Sequence, residues 1–353
     1  MNLLLQFFRR KRLVDESGQR KSPHRTKIQF FSPSVGSISG FTIIELLVAT
    51  AILSLLMALI LSVISNTSTI WKRSTDKIEA FQSARMAFNL LTSKLSQATM
   101  NSYLDFDNTD DPTVAPTTYL RKAELKFLSE PAGSVAGTAG TGQALFFQAP
   151  ANLTRNSSQY SGLEGLLNTC GYYVEFGSDA STKPAFVGSA DKYRYRLMQL
   201  LVPTEDNQVY DTNVTGSDWV TTSAADVMPV ADNIIAIIIR PQDPGASSPD
   251  LTTNYTYESA APFTGTQPST SNQLPPVIQV TMVAIDESAA KRIQNGTGQP
   301  SEITGALSGK FSNPASYDAD LLALELALNQ VDPPISYRVF SSAVPIRESK
   351  WSK

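Results

Sequence analysis

The chain has 353 residues, enough for one or two domains with a real core, and only 17% of them are charged. Residues 1–40 carry eight Lys/Arg against Asp15 and Glu16, a balance of +6; the remainder holds 21 basic and 30 acidic residues, a balance of −9, which argues against nucleic acid as a main partner. One cysteine, Cys170, excludes an internal disulfide, and one histidine, His24, excludes Ser-His-Asp and Cys-His nucleophiles and His-ligated zinc from everything after residue 40.

In chain order, the basic leader 1–40 comes first and ends in the small residues Ser39 and Gly40. From Leu46 to Ile64 follow nineteen residues without a charge, "LLVATAILSLLMALILSVI". A run of about 20 residues at 1.5 Å each spans the hydrocarbon of a bilayer. The leader lies on the near side of this run, so the positive-inside rule places residues 1–40 in the cytoplasm and the body outside. No Gly or Pro occurs between Phe41 and Asp111. Beyond the span, Ile78, Phe81, Ala84, Phe88, Leu91, Leu95 and Ala98 recur at three and four, the pattern of a helix with one core-facing stripe. The reading is one helix from Phe41 to about Ala98, with a transmembrane half at 41–72 and an amphipathic half at 73–104.

Glu45 stands alone in this apolar stretch; the next charge is Lys72. In the plain reading it sits near one end of a signal anchor. A cleavable signal peptide has its small residues after the apolar run, whereas here they precede it. A cut after Gly40 would remove the leader, keep the apolar helix and leave a free amine on Phe41. In a helical assembly that amine can meet Glu45 of a neighbouring subunit, so that two desolvated charges compensate each other.

The stretch "GFTIIELLVA", Gly40 to Ala49, resembles the class III signal of type IV prepilins and type II secretion pseudopilins. The resemblance implies cleavage by a membrane-embedded prepilin peptidase between Gly40 and Phe41, N-methylation of Phe41 to N-methylphenylalanine, and subunit docking through Glu45. It also implies other pilin or pseudopilin subunits, an inner-membrane assembly platform and the lipid bilayer as partners. The leader is long for this family, and Ser62 stands near where many major pilins carry a helix-kinking Pro.

After the helix comes "DFDNTDDP", Asp105 to Pro112. Its run of Asp reads as a solvated loop or as a calcium loop built on Asp105, Asp107, Asp110 and Asp111. It lacks the Gly and distal Glu of an EF-hand. Six strands are then expected: Ala144–Pro150, Gly171–Gly177, Tyr193–Pro203, Asp232–Gln242, Pro276–Glu287 and Ile335–Glu348. Within the fourth, "NIIAIII" reads as a central strand covered on both faces. Long polar connections at Gly133–Gly142, Thr204–Met228, Pro241–Gln273 and Gly296–Pro314 read as mobile loops, and Asp318–Gln330 as a short helix inside an insertion at about 288–334. The fold class is therefore α+β: a long N-terminal helix packed on a mainly antiparallel sheet, within an outer domain at 105–353. "VADNIIAIIIR", "LPPVIQVTM" and "YRVFSSAVPIR" are similar to the last three strands of large minor pilins and pseudopilins of the PilW and GspJ type, and the chain also resembles pilin-like proteins of verrucomicrobial gene cassettes.

Chemistry is sparse. Cys170 reads as a small buried residue, with a reactive thiol as the alternative. Arg194 and Arg196 share one strand face and read as solvated, with an acidic partner as the alternative. Asp320 and Glu325 are five apart and do not share a helix face. No phosphate loop or catalytic set is visible, and no cofactor is expected apart from the calcium alternative. The functional expectation is a non-enzymatic filament subunit in the inner membrane; the competing one is a bitopic exported receptor or adhesin on a plain anchor.

Overall fold

The computed structural model describes residues 40–107, 113–135, 137–156, 158–160, 162, 165–184, 186–211, 219–220, 226–260 and 267–352. Leader residues 1–39, together with Asp110 and Asp111, lie outside the described residues. The fold is α+β, a long N-terminal helix with antiparallel sheets. The chain separates into two units between Ser62 and Val63.

Helix α1 runs Ile43–Leu95, 53 residues, or about 80 Å. It is followed by β1 (Tyr103–Phe106), β2 (Tyr119–Lys122), β3 (Leu128–Pro131), β4 (Gly140–Pro150), β5 (Leu167–Ser178), β6 (Tyr193–Val202), β7 (Val227–Asp232), β8 (Ile234–Gln242), β9 (Tyr257–Glu258) and β10 (Val277–Ile285). Then come α2 (Glu287–Arg292), α3 (Ser301–Leu307), α4 (Tyr317–Gln330) and β11 (Tyr337–Pro345). The strands form a hairpin β1-β2, a three-stranded sheet β11-β10-β8 and a six-stranded sheet β7-β6-β5-β4-β3-β9.

The second half of α1 belongs to the core of the larger unit. Ala84, Ala87, Phe88, Leu91 and Leu95 are buried at spacings of three and four. The Phe88 ring lies 5.9 Å from Phe340 of β11, which brings the helix onto the three-stranded sheet. At its end Lys94 Nζ donates to the Pro150 carbonyl of β4 at 3.2 Å, and Thr99 N–H donates to the Gln148 carbonyl at 2.8 Å, which ties the helix end to the six-stranded sheet. The stripe begins later than expected: Ile78 is 54% exposed and Phe81 is half-buried, because the sheet reaches the helix only from Phe81 onward.

β8 is not the centre of its sheet. β10 takes that place, with β11 and β8 on its two sides. β8 is nevertheless buried throughout Ile234–Ile239, because a bulge of β4 lies against it. Thr141 Oγ1 donates to the Ile235 carbonyl at 2.7 Å. Gly142, at φ +72°, comes so close that a Cβ there would sit 2.4 Å from the Ile237 oxygen. A covered edge tolerates an all-apolar strand. The opposite faces of the three-stranded sheet meet different helices. Tyr317 of α4 hydrogen-bonds Thr281 of β10 at 2.6 Å, while Phe340, paired in register with Met282, meets α1.

The stretch expected as one strand from Asp232 is two strands in two sheets. Asn233 adopts φ +63° between β7 and β8, so the chain turns from the six-stranded sheet into the three-stranded one. Asn is among the few side chains that tolerate this conformation. The four expected loops also carry structure: β4 begins at Gly140 within Gly133–Gly142, β7 begins at Val227 within Thr204–Met228, β9 pairs with β3 within Pro241–Gln273, and α3 forms within Gly296–Pro314. The Asp318–Gln330 helix is present one residue earlier, with Tyr317, Leu324 and Leu328 buried.

A fragment starting at Ser74 retains every buried residue of α1 and is expected to fold alone. In it, Phe88→Asp is expected to lower stability by about 4 kcal/mol, since it removes a buried ring and leaves a carboxylate without a partner. Thermal unfolding checks this; an unchanged transition would contradict the packing of α1 on the sheet.

Candidate functional site

The amino end of α1 gathers the three residues singled out for processing and docking. Thr42 precedes the first helical residue, Ile43, and its hydroxyl accepts the Glu45 N–H at 3.3 Å. Thr42 is therefore the N-cap and Glu45 the third helical residue, the spacing of a capping box. This role of Thr42 was missed in the sequence, although Thr-x-x-Glu directly before an apolar run is its signal. The helix dipole favours a carboxylate in the first turn by ~0.3–1 kcal/mol. A charge at the bilayer centre costs ~2.5–3.5 kcal/mol on insertion scales. The cap and dipole therefore offset only part of the cost of carrying Glu45 deep into lipid.

Gly40 and Phe41 are exposed, Phe41 at 78%. A Cβ built on Gly40 meets nothing within 4 Å, so packing within the chain does not require glycine there. From Phe41 to Trp71 every residue is exposed. Among the described residues α1 is the one helix long and apolar enough to cross a membrane. That agrees with a protein that passes the bilayer once.

Two of the aspartates beyond the helix, Asp107 and Asp105, make local hydrogen bonds. Both Asp107 oxygens accept from Thr117, one from its N–H at 3.0 Å and the other from its hydroxyl, which closes the β1-β2 hairpin. These bonds hold its carboxyl below the usual carboxylate range. Asp105 Oδ1 accepts the Phe106 N–H at 2.8 Å. Among the described residues no group of three or more His, Cys, Asp or Glu side chains gathers as metal ligands.

Arg194 and Arg196 are not solvated: they are 4% and 6% exposed. Arg196 bonds Asp232 at 2.8 Å and the carbonyls of Gly177 and Lys192. Arg194 reaches Glu287 at 3.2 Å and Gln294 at 3.1 Å. Glu287 also accepts from Asn233 Nδ2 at 2.8 Å and pairs with Lys291. The carboxylate thus links α2 to β6 and to the residue where the chain changes sheets. Burial pushes the Glu287 carboxyl up, but its bonds from Asn233 and Arg194 outweigh this and hold it below its ordinary value. No spacing in the sequence points to this cluster, because its members come from three distant segments. Cys170 is fully buried in β5, and burial pushes its thiol up to about 12, so it is not poised as a nucleophile.

Compared with models of known protein families and with curated proteins, the chain matches none.

Glu287→Ala leaves Arg194 buried without its carboxylate. The expected loss is roughly 2–3 kcal/mol at neutral pH by urea unfolding of the Ser74 fragment. Because the folded-state pKa is depressed, the wild-type contribution is present above the ordinary value of 4.5 and is lost as pH falls through the lowered folded value. The variant should accordingly show a shallower loss of stability in acid. Equal stability of variant and wild type at neutral pH would contradict the role assigned to Glu287.

Proposed function

We propose that the chain is a non-enzymatic pilin-like subunit, a minor pilin or pseudopilin of the PilW and GspJ type. Prepilin peptidase cleaves it between Gly40 and Phe41, methylates Phe41, and hands it to an inner-membrane platform that builds a filament. The leader is cytoplasmic and the sheets lie outside the membrane. Glu45 docks on the amine of the next subunit. The observation that carries this reading is the stretch "GFTIIELLVA" at the start of an unbroken helix whose first part is wholly exposed and apolar and whose later part is buried against sheets.

Three physical points support it. The glycine has no packing reason within the chain, as expected if an external enzyme selects it. Phe41 is exposed, so a new amine there is open to a neighbour. Glu45 carries a charge that capping alone does not compensate in lipid, which is the condition under which a partner charge is favourable.

Removal of residues 1–40 leaves 313 of the 353 residues. Intact-mass measurement of protein from a host with prepilin peptidase is expected to find that chain with one added methyl group on Phe41. A membrane-bound mature form that keeps residues 1–40 would favour a plain anchor, as in a bitopic receptor or adhesin, and would overturn the filament reading.

A further inference from the structure

Past the apolar stretch, α1 carries opposite charge on its two flanks. One flank lines a groove of about 370 Å³ against β11, formed by Lys77, Ile78, Phe81, Arg85, Arg338 and Phe340. The groove has three cations, an apolar floor and no carboxylate in its lining. The Arg338 guanidinium lies 5.5 Å from the centre of the Phe81 ring. Among the described residues, Lys77, Arg85 and Arg338 form no ion pair.

The other flank borders a cleft of about 540 Å³ between α1, β7 and α2, with the turn after β5 on its rim. Two of its ion pairs are internal, Arg196 with Asp232 and Lys291 with Glu287. Asp76, Glu79 and Asp179 remain there with Lys192 as the remaining cation, so the cleft keeps an acidic excess. Asp76 and Glu79 are exposed. At 3.6 residues per turn, residues 76, 79, 80 and 83 lie roughly half a turn around the helix from 77, 78, 81, 82 and 85. The buried line through Ala84, Phe88 and Leu91 runs between the two sets.

Resting on the filament reading above, we propose that the basic groove of one copy receives the acidic flank of a second copy of this chain. Charge complementarity selects the partner: the groove offers three cations over an apolar floor, and the same chain presents exposed carboxylates at the same level of α1. The two patches differ and sit on opposite flanks, so the contact is heterologous. It leaves one groove and one cleft open at the ends and extends as an open row, or closes only as a ring. Complementary charge fixes register and rejects like-charged approaches of groove to groove and cleft to cleft.

The test uses the full-length chain in host membranes, with two tagged copies. Gln82→Cys marks the groove of one copy and Ser83→Cys marks the cleft of the other; the native Cys170 is fully buried. A short bismaleimide is expected to link Gln82→Cys to Ser83→Cys. Adding Lys77→Glu and Arg85→Glu to the groove copy should reduce that link about tenfold or more. Adding Asp76→Lys and Glu79→Lys to the cleft copy as well should restore it, a rescue that a merely unfolded variant cannot give. Links of Gln82→Cys only to itself would overturn the proposal, as would a yield unaffected by reversal. Reversal without rescue would assign the groove to another anion, such as a lipid phosphate, and overturn it too. Absence of the link between chains that have lost residues 1–40 overturns the flank contact alone; retention of residues 1–40 overturns the filament reading instead.

Discussion

The burial of Ala84, Ala87, Phe88, Leu91 and Leu95 is the contact on which the rest of the larger unit depends. The stripe meets β11 through Phe340, and the end of the helix is held by the Gln148 and Pro150 carbonyls of β4. Two sheets thereby share one core with a single helix. Full burial of a side chain such as Leu91 is worth about 2 kcal/mol relative to exposure. Phe88, Leu91 and Leu95 each contribute on this scale, and Ala84 and Ala87 let the helix approach the sheets closely. The same uninterrupted helix carries the apolar stretch from Ile43 to Ile64, which has no protein cover. With no Gly or Pro in between, the helix runs unbroken from its exposed apolar part into its buried part.

Glu45 follows from that constraint. A carboxylate at the third helical residue is well placed for the Thr42 cap, and the first turn is where a negative charge is least costly. In the proposed filament this end of the helix is embedded, and the remaining cost falls to a neighbour's amine. The flank charges at Lys77, Arg85, Asp76 and Glu79 would act about nine to eleven turns later along the same helix, in water, where complementarity governs register more than affinity. In the proposed filament, apolar burial in lipid, one compensated charge near the helix start, and charged flanks beyond the membrane would give three separable contributions to assembly.

Much of this was legible in the sequence, and the failures have physical causes. The long helix, the Tyr317–Gln330 helix and the long strands β4, β5, β6, β10 and β11 announce themselves through apolar periodicity. Asn233 does not: a single residue at φ +63° splits an apolar run between two sheets, and the run looks the same either way. β8 looked central because it is apolar on every side, whereas its cover is the β4 bulge around Gly142, a contact between segments some ninety residues apart. The short strands β1, β2, β3 and β9 have four residues or fewer and lie below the length at which alternation is visible. Arg194 and Arg196 read as surface residues because their partners Glu287 and Asp232 are known only from the fold. At the candidate site, Gly40, Phe41 and Glu45 could be proposed from the sequence because they are neighbours in it, and the flank grooves could not, because part of each lining comes from distant segments.

In the proposed filament the Glu45 charge serves a neighbouring subunit. Glu45→Ala, expressed beside the wild-type assembly machinery, should be cleaved after Gly40 and retained in the membrane as wild type is. It should be absent, or reduced about tenfold or more, in sheared filaments, because the lost partner leaves an amine uncompensated in lipid. Incorporation of the alanine variant into filaments at the wild-type level would contradict the account.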